Sequence, residues 1–280
     1  MTTATIPETP VPGTPVSDAP VRGRDVPRAA PARIPTTRLV AVELRKMFDT
    51  RSGFWMMASI VITAILATGA VILFAPDAEL TFDNFAAAIG IPMTVVLPMV
   101  AILSVTSEWS QRSGLTTFAL VPHRGRVFTA KALAVVLVGV VSMVVALGVG
   151  ALGNVLGTTI TGTPLVWDIS ATHFLQIVLG NVLGMMLGFA LGLLVRNSPG
   201  AMVGYLVYAF VLPGLAALLA AYQQWFADAQ PWVDFNFAQG QLYNGIENAE
   251  QWANLAVTTG GWVLLPLLVG LRLVSRSEVK

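Results

Sequence analysis

The chain has 280 residues, 55% hydrophobic and only 11% charged, against about a quarter charged in soluble domains. Its formal charge of +1 conceals a strong sidedness, and its zero cysteines exclude disulfides, thiolate metal sites and Cys nucleophiles. His123 and His173 each lack a second His or a carboxylate at helical spacing, so no metal site is expected.

In chain order, residues 1–35 carry eight prolines (Pro7, Pro10, Pro12, Pro15, Pro20, Pro27, Pro31 and Pro35) among Thr, Ala and Arg. With no apolar run to offset its ordering entropy, this stretch is expected to be a disordered, partly polyproline II tail. Without an apolar core it does not read as a signal peptide. Residues 36–53 are amphipathic. A 3.6-residue wheel gathers Thr37, Val40, Ala41, Leu44, Met47 and Phe48 on one face and Arg38, Arg45, Lys46 and Asp49 on the other, with Val42 out of place. That pattern predicts a helix lying in the inner membrane interface, with Ser52-Gly53 as the bend before the first span.

Six apolar runs follow within residues 54–275: 54–75, 86–107, 132–157, 174–195, 198–221 and 255–273. Each approaches the ~20 residues that cross ~30 Å of hydrocarbon. Arg112, Arg124, Arg126, Lys131 and Arg196 all fall in the second and fourth connections. The first, third and fifth hold Asp77, Glu79, Asp83, Asp168, Asp228, Asp234, Glu247 and Glu250, and no Lys or Arg. Excess Lys and Arg marks the cytoplasmic side. Both termini, including a short tail at 276–280, are therefore expected inside. The expected fold is an all-α membrane protein of six transmembrane helices.

The central turns of these spans contain no ionisable residue, which argues against a proton-coupled carrier and against intramembrane acid or metal chemistry. The fourth span carries Gly180, Gly184, Gly188 and Gly192 at four-residue spacing. They form a slowly winding groove where another backbone can come close, within the subunit or between subunits. The fifth span opens with Ser198-Pro199, read as N-cap and first-turn proline. Pro213, deeper in the same run, predicts a kink or local unwinding. Pro92 and Pro98 raise the same expectation for the second span. Met93, Met99, Tyr205 and Tyr208 are candidates for a path that tolerates apolar or amphiphilic cargo.

Two connections stand apart. Residues 108–131 begin with an acid, turn apolar from Leu115 to Val121, pass through Pro122-His123-Arg124-Gly125-Arg126 and end at Lys131. Leu115, Phe118, Ala119 and Leu120 need something to bury against. Residues 222–254 include Trp225, Phe226, Trp232, Phe235, Phe237, Tyr243 and Trp252, and a structureless connection of that length is uncommon. Aromatic rings of this kind favour the membrane interface.

On Glu108, Arg112-Ser113-Gly114-Leu115-Thr116, Pro122, Arg126 and Lys131, the chain resembles permease subunits of the ABC-2 exporter family. It departs from them in placing Leu115 between Gly114 and Thr116. The resemblance covers residues 37–280 and implies a type V exporter-like fold in a bacterial cytoplasmic membrane. It makes residues 108–131 a cytoplasmic coupling helix and its flanks, with Glu108, Arg112, Gly114, Leu115, Thr116, Phe118, Pro122, Arg124, Arg126 and Lys131 meeting a separate ATPase subunit. It also implies re-entrant helices outside the membrane before the last span. None of the three lysines (Lys46, Lys131, Lys280) follows a Gly-x-x-x-x-Gly stretch, so no P-loop is present and ATP and Mg would be bound by the partner. The expected partners are that ATPase, a second or related permease and the bilayer, not nucleic acid. No enzymatic site is expected in this chain. Competing readings are an ATP-independent carrier or channel, a membrane-embedded enzyme, and a permease-like subunit for sensing or antimicrobial-peptide immunity.

Overall fold

In a computed structural model, the described residues are 34–49, 51–110 and 124–276, and among them the only regular elements are helices. Helix α1 spans Thr36–Asp49, α2 Arg51–Phe74, α3 Phe82–Ser110, α4 Arg124–Thr161 and α5 Ala171–Val195. The fifth span is α6 (Ser198–Leu206) and α7 (Leu212–Tyr222), joined by a π-helical turn at Val207–Val211. Two short helices follow, α8 (Gln224–Val233) and α9 (Phe235–Asn244). The last span is α10 (Ala249–Thr259), a second π turn at Gly260–Leu264, and α11 (Leu265–Arg276).

Among the described residues, six helices are long and apolar enough to cross a membrane: Gly53–Phe74, Phe82–Trp109, Gly125–Thr161, Ala171–Val195, Ser198–Tyr222 and Ala249–Val274. The chain is a multi-pass membrane protein. The third is much longer than its apolar run, because α4 begins as a polar stem carrying Arg126 and Lys131 before entering the apolar stretch. The Pro-rich residues 1–33 and residues 277–280 lie outside the described residues. One end of the bundle carries Arg126, Lys131 and Arg196; the opposite, acidic end carries Asp83, Asp168 and Asp234.

Helix α5 is the central post, packed by α3, α4, α6, α9 and α11. Two thirds of its apolar window (67%) is buried, against 11% for the fifth span, so the core follows α5 while α6 and α7 lie at the surface. Its glycines explain the close approach. A β-carbon at Gly188 would stand 2.8 Å from the Pro98 carbonyl oxygen and 3.0 Å from the Pro98 β-carbon. Gly192 lies against Val105, and Gly184 against Gln239. Gly180 lies against the ring of Tyr243. All four neighbours belong to this same chain. Pro92 and Pro98 leave α3 continuous, and Pro98 supplies the surface that Gly188 meets.

Three local expectations change. The start of the fifth span is capped by Asn197, whose side chain accepts from the Gly200 N–H, and not by Ser198. Ser198 lies one residue inside, and its hydroxyl is 2.7 Å from that of Thr106. No bend falls at Ser52-Gly53, since α2 runs through both. On α1 the buried stripe is Glu43 and Met47, flanked by half-buried Leu39, Val40 and Leu44; Thr37, Ala41 and Phe48 are exposed. Those three sit on the flank of the wheel, beyond the stripe that α4 and α2 cover.

Pro213 produces the expected local unwinding in a defined form. Lacking an N–H and clashing with the carbonyl four residues back, a proline favours a widened turn just ahead of it. The π turn ends at Val211, two residues before Pro213. Pro266 follows the second π turn, ending at Leu264, by the same two residues. A Gly188→Ala variant should lower stability by about 1–3 kcal/mol through overpacking, whereas Gly204→Ala, with open space around it, should be near neutral. Thermal unfolding of the purified protein in detergent checks the contrast.

A candidate coupling site at the basic end

Of the ten residues assigned to coupling, Arg112, Gly114, Leu115, Thr116, Phe118 and Pro122 lie outside the described residues, as does the segment between Ser110 and Arg124. Arg124 opens α4. The remaining three, Glu108, Arg126 and Lys131, stand on the two stems of that segment; Glu108 and Lys131 contact α1, and Arg126 the residues just ahead of it.

Glu108 ends α3 and Lys131 stands in the second turn of α4, both buried, with side chains only 3% exposed. Their charged groups are 3.3 Å apart. Between them α1 inserts Glu43, itself buried, whose carboxylate accepts from the Lys131 ammonium. Lys46, one turn along α1, donates to Glu43 at 2.8 Å and reaches Glu108 at 3.4 Å. The result is a closed ring of alternating charge, Glu43–Lys46–Glu108–Lys131, whose formal charges cancel. Arg126 adds a second tie, donating from its guanidinium to the Ile34 carbonyl ahead of α1. Above the ring, Trp109 stacks on Phe128 with centroids 6.0 Å apart, and the Arg196 guanidinium lies 5.9 Å from the Trp109 ring centre. The basic end thus gathers α1, both stems of the connection and the joint between the fourth and fifth spans.

Attraction at such separations is of order 4 kcal/mol per contact at an effective dielectric near 20. Against it stands a desolvation penalty of several kcal/mol for each buried ion. The intact ring therefore contributes little net stability, but losing one member strands another charge out of water. Its role is to fix position: α1 can seat in one register only. Burial works to lower the pKa of Lys46, yet Glu43 and Glu108 outweigh it and hold the ammonium above its usual 10.5. A raised lysine value means its stabilisation is fully present below the unfolded pKa and is lost as pH rises through the folded one.

The amphipathic pattern alone passes over Glu43 and puts Lys46 on the solvent face. The signal was available: Glu43 lies at i+3 from Val40 and i−4 from Met47, inside the apolar stripe.

At the acidic end α9 packs along α5. Gly245, at φ +90°, ends α9 and turns the chain so that the Ile246 N–H and C=O both pair with the Gln176 side chain, each at 3.1 Å. His173 bonds the Tyr243 carbonyl oxygen at 3.0 Å. Gln239 donates to the Gly180 carbonyl at 2.7 Å. Gly180 lies nine residues into α5, about 13 Å from its start at 1.5 Å per residue.

The candidate path residues are mostly core. Met93 is fully buried, and Met99 packs beside the second hydrophobic cluster. Tyr205 donates to the Thr94 carbonyl at 2.7 Å and lies beside Tyr208, ring centres 5.7 Å apart. Tyr208 reaches the Gln239 side-chain oxygen at 3.4 Å and lines an open cavity. No protein-family model matches the chain, and no curated protein matches it.

Lys131→Met should cost about 3 kcal/mol or more, because Glu43 and Glu108 then lose their shared buried cation. Combining it with Glu43→Gln should recover a substantial part of that loss in detergent unfolding measurements. The stability difference between wild type and Lys46→Met should be constant from pH 7 to about 10 and shrink above that.

Proposed function

We propose that this chain is the membrane-spanning permease subunit of an ATP-driven exporter of the ABC-2 kind, carrying apolar or amphiphilic cargo outward. The observation that carries the reading is the ring of Glu43, Lys46, Glu108 and Lys131. Glu108 and Lys131 belong to the motif that resembles the family's coupling segment, and they bracket the connection that would receive the ATPase. A push on that connection would reach α1, α3 and α4 together, because all three share the same buried charges.

Under this proposal the basic end faces the cytoplasm of a bacterial cell, with both termini, in line with the Lys and Arg distribution. The ATPase binds ATP and Mg and docks on residues 108–131, and a second permease copy completes the pathway. For nucleotide to drive transport, the ATPase must bind the two permease states with different affinity. The depth of the Gln239–Gly180 contact supports α9 as a re-entrant helix, since it meets α5 well inside the span. Irregular backbone is permitted at that depth only when protein satisfies it, as the paired Gln176 and Ile246 do near the start of α5. The paired π turns give the fifth and sixth spans a place to flex.

In vesicles holding the permease with its ATPase, transport should require ATP. Arg126→Glu and Phe118→Asp should each abolish substrate-stimulated ATP hydrolysis while the permease still inserts and purifies normally. Unchanged coupling in both variants, or full transport without nucleotide, would refute the proposal.

A further inference from the structure

The two π turns meet. Tyr208 is the second residue of the first turn and Trp262 the third of the other, and their rings lie 5.9 Å apart at 46° to each other. Such turns cost regular hydrogen bonding and often coincide with functional sites. Here they form one wall of a cavity of about 360 Å³ between the fifth span, α8 and the sixth span, within the usual range for small-molecule sites of roughly 300–1,000 Å³.

Its lining has a polar end and an apolar end. Tyr208, Trp262 and Phe226 present aromatic rings, Asp234 supplies the one carboxylate, and Leu215 and Leu219 continue as an apolar slope along α7. No Lys, Arg or His lines it. Trp262 is fixed by its indole N–H, which donates to the Val233 carbonyl at 2.8 Å. Asp234 accepts from the Phe237 N–H at 3.2 Å and from Gln230 at 3.0 Å. A carboxylate has about four lone-pair positions, so these two bonds leave it capacity for a cation.

From this placement we infer that the cavity is a binding site for single-chain amphiphiles with a cationic, quaternary-ammonium-like head. The head sits against the tilted faces of Tyr208 and Trp262, where ring quadrupoles attract cations, with Asp234 as counter-charge. The hydrocarbon tail lies along Leu215 and Leu219. Anionic amphiphiles are repelled, because neither the lining nor the three acidic connections offers a Lys or Arg. The site names a cargo class for the transport proposal, but it rests on the cavity alone and is testable without nucleotide or ATPase.

The full chain in neutral-lipid nanodiscs should be photolabelled by dodecyltrimethylammonium carrying a diazirine at its tail end. Peptides should then show saturable attachment on α7 or α8, displaced by unmodified dodecyltrimethylammonium and not by dodecyl sulfate. Asp234→Asn keeps a good N-cap residue for α9 and should raise the concentration for half-labelling about tenfold. Leu215→Trp, which fills the cavity, should abolish attachment. Equal displacement by dodecyl sulfate, no change in the monodisperse Asp234→Asn protein, or labelling spread over the exposed face of α2 would each overturn the inference. Lost ATP coupling with intact labelling would instead fault only the transport proposal.

Discussion

A charge taken out of water needs an opposite charge at hand, and at the basic end of this bundle that need decides how three helices meet. Glu43, Glu108 and Lys131 are each almost wholly buried, on α1, α3 and α4 respectively. None of the three helices can shift without exposing or stranding one of them. Hydrophobic packing of Leu44 and Met47 would tolerate α1 sliding by a turn; the charges do not. The last turn of α3, the start of α4 and α1 therefore form one braced frame.

Beyond the frame, the molecule divides into a stiff part and a jointed part. Helices α3 and α5 are pressed together along glycines that leave no room for side chains, Gly188 against the Pro98 backbone being the tightest place. Close-packed surfaces of this kind resist small deformations. The fifth and sixth spans are built otherwise: each is largely unburied, and each is broken midway by a π turn set by a proline two residues on. Motion started at the basic end would find least resistance at those turns, where Tyr208 and Trp262 meet beside the acidic-end cavity.

The spans were legible because crossing hydrocarbon demands a length of apolar chain that little else demands, and all six appear within a few residues of their apolar runs, apart from the extended α4 stem. The glycine spacing on α5 was equally plain, though only the fold gives its neighbours. The buried acid of α1 was not legible in the same way. A hydrophobic wheel assigns polar residues to solvent, so it has no place for Glu43, whose burial depends on Lys131 nearly ninety positions away. Ser198 resembles a cap in sequence for a related reason. Both Asn197 and Ser198 can cap, and which does so follows from Ser198 finding Thr106 on α3. The short helices α8 and α9 were anticipated as an aromatic segment too long to lack structure. The depth of α9 along α5 came only with the Gln239 contact.

The proposal stands or falls on what touches the connection between α3 and α4. A photoreactive benzoylphenylalanine in place of Phe118, irradiated in intact cells, tests this most directly. The account predicts one dominant adduct, to a protein that carries a P-loop and hydrolyses ATP, enhanced when nucleotide closes the ATPase pair. Adducts to lipid alone, or to no nucleotide-binding protein in cells that export normally, would contradict it.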